Sequence, residues 1–119
     1  MIQIQNPKRY DLEERTLKFA ERAMRYANSL PRTLANVENG RQLVRAAGSV
    51  GANYIEANEA LSRKDFLMRI KISKKEAKES CYWLKLSVPR HEMIQERQFL
   101  IQESTELMKI FGSILEKSM

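Results

Sequence analysis

The sequence predicts an all-α fold, an antiparallel up-down-up-down four-helix bundle. Three observations carry the expectation. Apolar residues recur at steps of four and three through four long segments. Only four glycines and three prolines interrupt 119 residues, too few breakers for a chain of short strands and turns. No segment shows the period-two alternation of a half-buried strand. Helices of roughly this length with short connections pack most simply as an up-and-down bundle. One domain, residues 1–119, is expected.

Asp11 reads as the cap of the first helix, about residues 11–30, with Glu13 and Glu14 in the turn where the helix dipole favours acids. Its stripe is Leu12, Thr16, Phe19, Ala23, Tyr26 and Leu30, widened by Leu17, Ala20, Met24 and Ala27. Pro31 marks the exit. The second helix, about 37–61, begins near Asn36 or Val37. It carries Leu43, Ala47, Val50, Tyr54, Ala57 and Leu61 on one face. It is rich in small residues, and Gly48 and Gly51 in mid-helix suggest close packing or a local bend. Ser62 with Asp65 three residues on reads as the cap of a third helix, about 63–88. Its stripe is Phe66, Ile70, Ser73, Ala77, Cys81, Leu84 and Val88, and Pro89 stops it. The fourth runs over about 95–116 with Leu100, Ser104, Leu107, Phe111 and Ile114 inside. The connection near Ala60–Lys64 favours a tight hairpin between the second and third helices, with a bent continuous helix as the competitor. Ile55, Met68, Ile72, Tyr82 and Trp83 lie off the stripes, as a broad core face or a second apolar surface for self-association.

Several functions lack their residues. No run of 18 apolar residues is present, so no membrane span is expected. The N-terminal MIQIQNPKRYDLEE lacks the apolar core of a secretory leader. The single Cys81 has no disulfide partner within the chain and falls in an apolar pattern. These features suit a reducing cytoplasm. The single His91 has no second His or Cys beside it to share a metal. Glu76 with Glu79 and Glu56 with Glu59 are three apart, yet no Glu-x-x-His motif accompanies them. No phosphate loop and no Ser-His-Asp signature occurs. The expectation is a non-enzymatic protein without cofactor or metal.

The charge pattern points instead to a polyanion. The formal net charge is +6, and residues 62–88 hold eight basic and three acidic groups, +5 in that segment alone. Lys64, Lys71, Lys75, Lys78 and Lys85 share one face of the third helix, with Tyr82 in the row. Arg15, Lys18, Arg22 and Arg25 share a face of the first, where Asp11–Arg15, Glu14–Lys18 and Glu21–Arg25 are i,i+4 pairs that offset the charge. Both rows suit phosphate contacts, the third-helix row first. The rival is a solvated surface on a scaffold that binds a protein partner. On the second helix Arg45, Ser49, Asn53 and Glu56 form a polar edge that fits a structural network.

The string QLVRAAGSVGANYIEA followed by SRKDFLMRIKISKKEAKES resembles the proteins encoded within intervening sequences of bacterial 23S rRNA genes. Gln42, Leu43, Arg45, Ala46, Ala47, Ser49, Val50, Asn53 and Glu56 stand at the family's Q-L-x-R-A-A-x-S-V-x-x-N and following positions. Ser62, Phe66 and the Lys74–Glu79 region continue the match. The chain departs where Tyr54-Ile55 and Glu56-Ala57 replace Ile-Ala and Glu-Gly, and where the third helix lacks its central glycine. The resemblance implies a four-helix bundle assembled as a ring-like homopentamer. The accessory variability proteins of diversity-generating retroelements look similar in fold, and that likeness adds nucleic acid, RNA or DNA, to the partners implied.

Overall fold

In a computed structural model the described residues are 7–119, with side chains from Asp11 onward. The first six residues of the N-terminal stretch read above as no secretory leader fall outside them. Four helices follow in order: α1 Pro7–Ser29, α2 Leu34–Asn58, α3 Arg63–Leu86 and α4 Ile94–Ser118, with a 3-10 turn, His91–Met93, leading into α4. Each helix packs on its neighbours in sequence, and α4 closes on α1. Interhelix contacts pair late residues of one helix with early residues of the next. Asn53, late in α2, meets Arg69, early in α3, and Arg45, further back along α2, meets Glu76, further along α3. The helices are therefore antiparallel, and residues 59–62 make the tight hairpin. The molecule is about 45 Å long, and no described helix is long and apolar enough to cross a membrane.

The predicted stripes form most of the core, though on α4 Leu115 is buried where Ile114 was expected and Ile114 packs at the edge. Leu12, Phe19, Ala23, Tyr26 and Leu30 of α1 meet Leu43, Ala47, Val50, Tyr54 and Ala57 of α2, Ile70, Ala77 and Leu84 of α3, and Leu100, Leu107 and Phe111 of α4. The Tyr54 and Phe111 rings lie 5.8 Å apart in a tilted contact, which ties α2 to α4 across the bundle. Cys81 is buried as a small apolar residue, its Sγ 4.0 Å from the Thr105 hydroxyl.

The helix ends differ from the sequence expectation. The first helix starts at Pro7, not at Asp11. Proline suits a first helical position because its missing N–H would have no partner there. The second starts at Leu34, because the Thr33 hydroxyl accepts the Asn36 N–H at 3.1 Å and caps it earlier. It ends at Asn58, so Leu61 sits in the hairpin and is fully exposed. Ser62 does cap α3, its hydroxyl accepting the Asp65 N–H at 3.0 Å. That helix ends at Leu86, which leaves Val88 in the connection to α4 and exposed. Leu17 and Met24, expected to widen the α1 stripe, face solvent, since the α1 core face is already filled by six buried residues from Leu12 to Leu30.

The two mid-helix glycines play different parts. A Cβ at Gly51 would lie 2.8 Å from Thr16 Oγ1 and 3.1 Å from Thr16 Cβ. Glycine there lets α1 and α2 approach closely. At Gly48 a Cβ would meet nothing within 4 Å, so close packing within the chain does not require it.

The bundle end holding the 1–2 and 3–4 connections is stitched by polar side chains. Asn36 Nδ2 donates to Pro31 O and Val88 O, and Asn36 Oδ1 accepts the Val88 N–H at 3.0 Å. Ser87 Oγ donates to Leu84 O at 2.6 Å. Its one hydrogen is then committed, so the Tyr26 hydroxyl is the donor in the 2.6 Å contact with Ser87 Oγ.

Candidate nucleic-acid interface

Helical periodicity places Lys64, Lys71, Lys75, Lys78 and Lys85 on the outer face of α3, and all five are exposed. None has an ion-pair partner among the described residues. Two of the three acids of the same helix engage α2 instead. Glu76 and Glu79 sit half-buried against α2, where the Arg45 guanidinium reaches both, at 3.5 Å and 2.9 Å. Asp65 is in the first turn of the helix. Around Lys75 and Lys78 the lysine face is consequently not neutralised by its own helix, although the sequence places acids at i+1 and i−2 beside those lysines, while Asp65 shares a surface depression with Lys64 and Lys71.

The face is wider than the sequence row. Lys74 lies on the α4 side, its Nζ 3.5 Å from where a Cβ on Gly112 would stand. Lys109 of α4 lines the same shallow depression with Gly112 and Ser113. Gly112, a lone glycine inside an otherwise regular helix, was the sequence feature that could have pointed to a side chain lying across α4.

The α1 row divides. Arg15 Nε and Nη2 donate to the two carboxylate oxygens of Glu103 at 2.7 Å and 2.9 Å, and Nη2 also reaches Glu106 at 2.8 Å. Arg22 makes the same forked contact with Glu96 at 2.9 Å and 2.7 Å, with its guanidinium 3.6 Å over the Phe99 ring. Forked guanidinium–carboxylate geometry of this kind is strong and orienting. The Glu103 hydrogen bond raises the Arg15 pKa and the Glu96 hydrogen bond raises that of Arg22. The Arg22 hydrogen bond in turn holds the Glu96 carboxyl below its ordinary value. These two arginines lock α1 to α4. Lys18 pairs with Glu14 at 3.1 Å as expected, whereas Arg15 takes its partners from α4 and not from Asp11. Arg25 is exposed.

On α2, Arg45, Ser49 and Asn53 form a connected edge. Ser49 Oγ donates to Arg45 O, Asn53 Nδ2 donates to Ser49 O, and Asn53 Oδ1 accepts from Arg69 of α3 at 3.0 Å. Ser73 Oγ adds a buried bond to Val50 O at 2.9 Å. Glu56 is exposed and its side chain joins none of these contacts. Three further arginines serve helix ends, a role the sequence reading missed. Arg97 donates to Leu84 O and Lys85 O, Arg90 to Ser29 O, and Arg63 to Ser118 O. The α3 lysines stand free while these arginines hold carbonyls and carboxylates, in keeping with the forked donor set of the guanidinium.

Two other features complete the surface. An apolar cleft of about 490 Å³ lies at the other end of the bundle among Leu12, Tyr54, Phe66, Ile110 and Ile114. Two of its polar rim groups are already used, Arg15 by Glu103 and Glu106 and Asn58 by Glu13. Among the described residues no three His, Cys, Asp or Glu side chains come together as a metal-holding group. His91 is exposed in the 3-10 turn.

The architecture defines an all-α four-helix bundle with an unpaired lysine face on α3. The chain matches the 23S rRNA-intervening sequence protein family over residues 8–113, and it belongs to that family. A crystal structure of a protein of unknown function from the S23 ribosomal protein family of Bacteroides thetaiotaomicron VPI-5482 superposes with a TM-score of 0.75. That protein is 29% identical, and the match covers 92% of this chain and 98% of the other. No curated protein matches.

Proposed function

We propose that the protein is a non-enzymatic, cytoplasmic, oligomeric bundle that binds structured RNA or other nucleic acid through the α3 lysine face. The observation that carries this reading is the separation of charge on α3. Glu76 and Glu79 are held by Arg45, while Lys64, Lys71, Lys75, Lys78 and Lys85 stand unpaired in solvent. Such a row neutralises phosphates without reading bases, so little sequence specificity is expected. Lys18 and Arg25 are secondary contacts; Arg15 and Arg22 contribute less, because their donors are committed to α4. Membership of a family named for an rRNA intervening sequence supports an RNA-related role.

The test is binding of the purified protein to a labelled rRNA hairpin and to a DNA duplex of equal length at 50 and 200 mM salt. Submicromolar binding that falls about tenfold or more over that range is expected. Lys71→Glu/Lys75→Glu/Lys78→Glu should abolish it in a protein that keeps its helical circular dichroism. Unchanged affinity in that folded variant refutes the assignment.

A second reading, a scaffold for protein contacts, is favoured by apolar side chains left outside the core. Leu17 and Met24 of α1 and Val44 and Ile55 of α2 are exposed, and Gly48, one turn after Val44, has open space over it. The same residues support self-association, including the homopentamer implied by the family resemblance. Light scattering tests this, and a monomer at micromolar concentration removes the ring.

A further inference from the structure

We propose that the lysine face binds unpaired nucleotides, with Tyr82 as the platform on which a base stacks. This rests on the nucleic-acid reading above and narrows it to single-stranded or looped substrates. Tyr82 is 57% exposed toward the C-terminal end of the lysine row, between Lys78 and Lys85. Lys78 and Lys85 lie one helical turn before and after it, about 6 Å and 4.5 Å along the axis. A nucleotide seated on the ring therefore has its phosphates within reach of two ammonium groups. The ring is braced. Trp83 meets it edge-on, centroids 5.0 Å apart at 74°, and Trp83 itself packs against the core. A braced ring loses little freedom when a base covers it.

Phe99, the other well-exposed aromatic among the described residues, has its face covered by the Arg22 guanidinium. Tyr82 has no such cover. Its exposed surface is what a flat π-system would remove from water. In a duplex the base faces are already stacked on one another, so a helical substrate offers Tyr82 nothing comparable.

The experiment uses a short single-stranded RNA and the duplex of the same sequence, with wild type, Tyr82→Ala, Tyr82→Phe and Lys71→Glu/Lys75→Glu/Lys78→Glu. Affinity is read by anisotropy and stacking by the emission of Trp83, the chain's one tryptophan. Tyr82→Ala should weaken the single strand about tenfold and the duplex less than about twofold. Tyr82→Phe should keep wild-type affinity. Single-stranded RNA should quench Trp83 in wild type and not in Tyr82→Ala. Loss of binding in the lysine variant with no effect of Tyr82→Ala, or an equal effect on both substrates, overturns the stacking platform and leaves the lysine face standing. No binding of either RNA by wild type at low salt overturns both.

Discussion

Single positions in α2 separate packing that the chain needs from surface it does not. Gly51→Ala places a methyl against Thr16, whose hydroxyl is itself held by Leu12 O and Glu13 O. The α1–α2 approach must then widen, at about 1–3 kcal/mol. Gly48→Ala meets open space and should stabilise the protein by about 0.5–1 kcal/mol through helix propensity. Urea unfolding of both variants checks this, and equal effects would contradict the contrast. Should Gly48→Ala break a larger assembly seen by light scattering, Gly48 lies in a subunit contact. The sequence marked both glycines alike, because periodicity reports which face a residue occupies and not how far away the next helix is. Tyr26 was legible as core, but its bond to Ser87 was not, since 61 residues separate them. Tyr26→Phe should cost about 1 kcal/mol, because it removes the only bond of that hydroxyl while Ser87 keeps Leu84 O.

At the level of helices, the α1–α4 seam depends on two arginine forks in addition to the core. Glu96 is held below its ordinary pKa by the Arg22 hydrogen bond, against the opposing effect of burial. A carboxyl whose folded pKa is lowered contributes stability above its unfolded value, about 4.3, and that contribution disappears as pH falls through the lower folded value. The melting temperature should therefore fall as pH drops below about 4.3, and more steeply in wild type than in Glu96→Gln. At neutral pH Glu96→Gln should cost about 1 kcal/mol, a modest figure because the pair is partly solvated. Identical pH slopes in the two proteins would remove this seam from the account of acid stability. Helix number, order and stripes could be read from the chain because apolar periodicity and the Ser62 cap are local features. The ends of α2 could not be placed as well, for Thr33 offers a cap without an acid at the third helical position. The Arg15–Glu103 fork stayed hidden because Asp11 offered a local partner four residues away, and the Arg22–Glu96 fork because 74 residues separate its ends.

Over the whole molecule, six arginines are engaged in the fold while the α3 lysines are not, and the division makes the binding proposal quantitative. Arg15 and Arg22 bind α4 carboxylates, Arg45 binds α3 carboxylates, and Arg63, Arg90 and Arg97 bind helix-end carbonyls. The α3 lysines do none of this. A phosphate contact releases counterions, and each one adds about −0.7 to the slope of log affinity against log salt for a single strand. If all five α3 lysines contact phosphates, a slope of about −3.5 follows for single-stranded RNA. Each Lys→Gln at Lys71, Lys75 or Lys78 should make it shallower by about 0.7 with little change in melting temperature, since these ammonium groups hold nothing in the fold. Arg22→Gln should do the reverse, lowering the melting temperature by several degrees while leaving the slope nearly unchanged. A slope that responds to Arg22 and not to the lysines would move the phosphate path onto the α1–α4 face. Formal charge could not make that distinction, because Arg22 and Lys75 each count as +1 in the sequence. Only the partner each one has in the folded chain tells them apart.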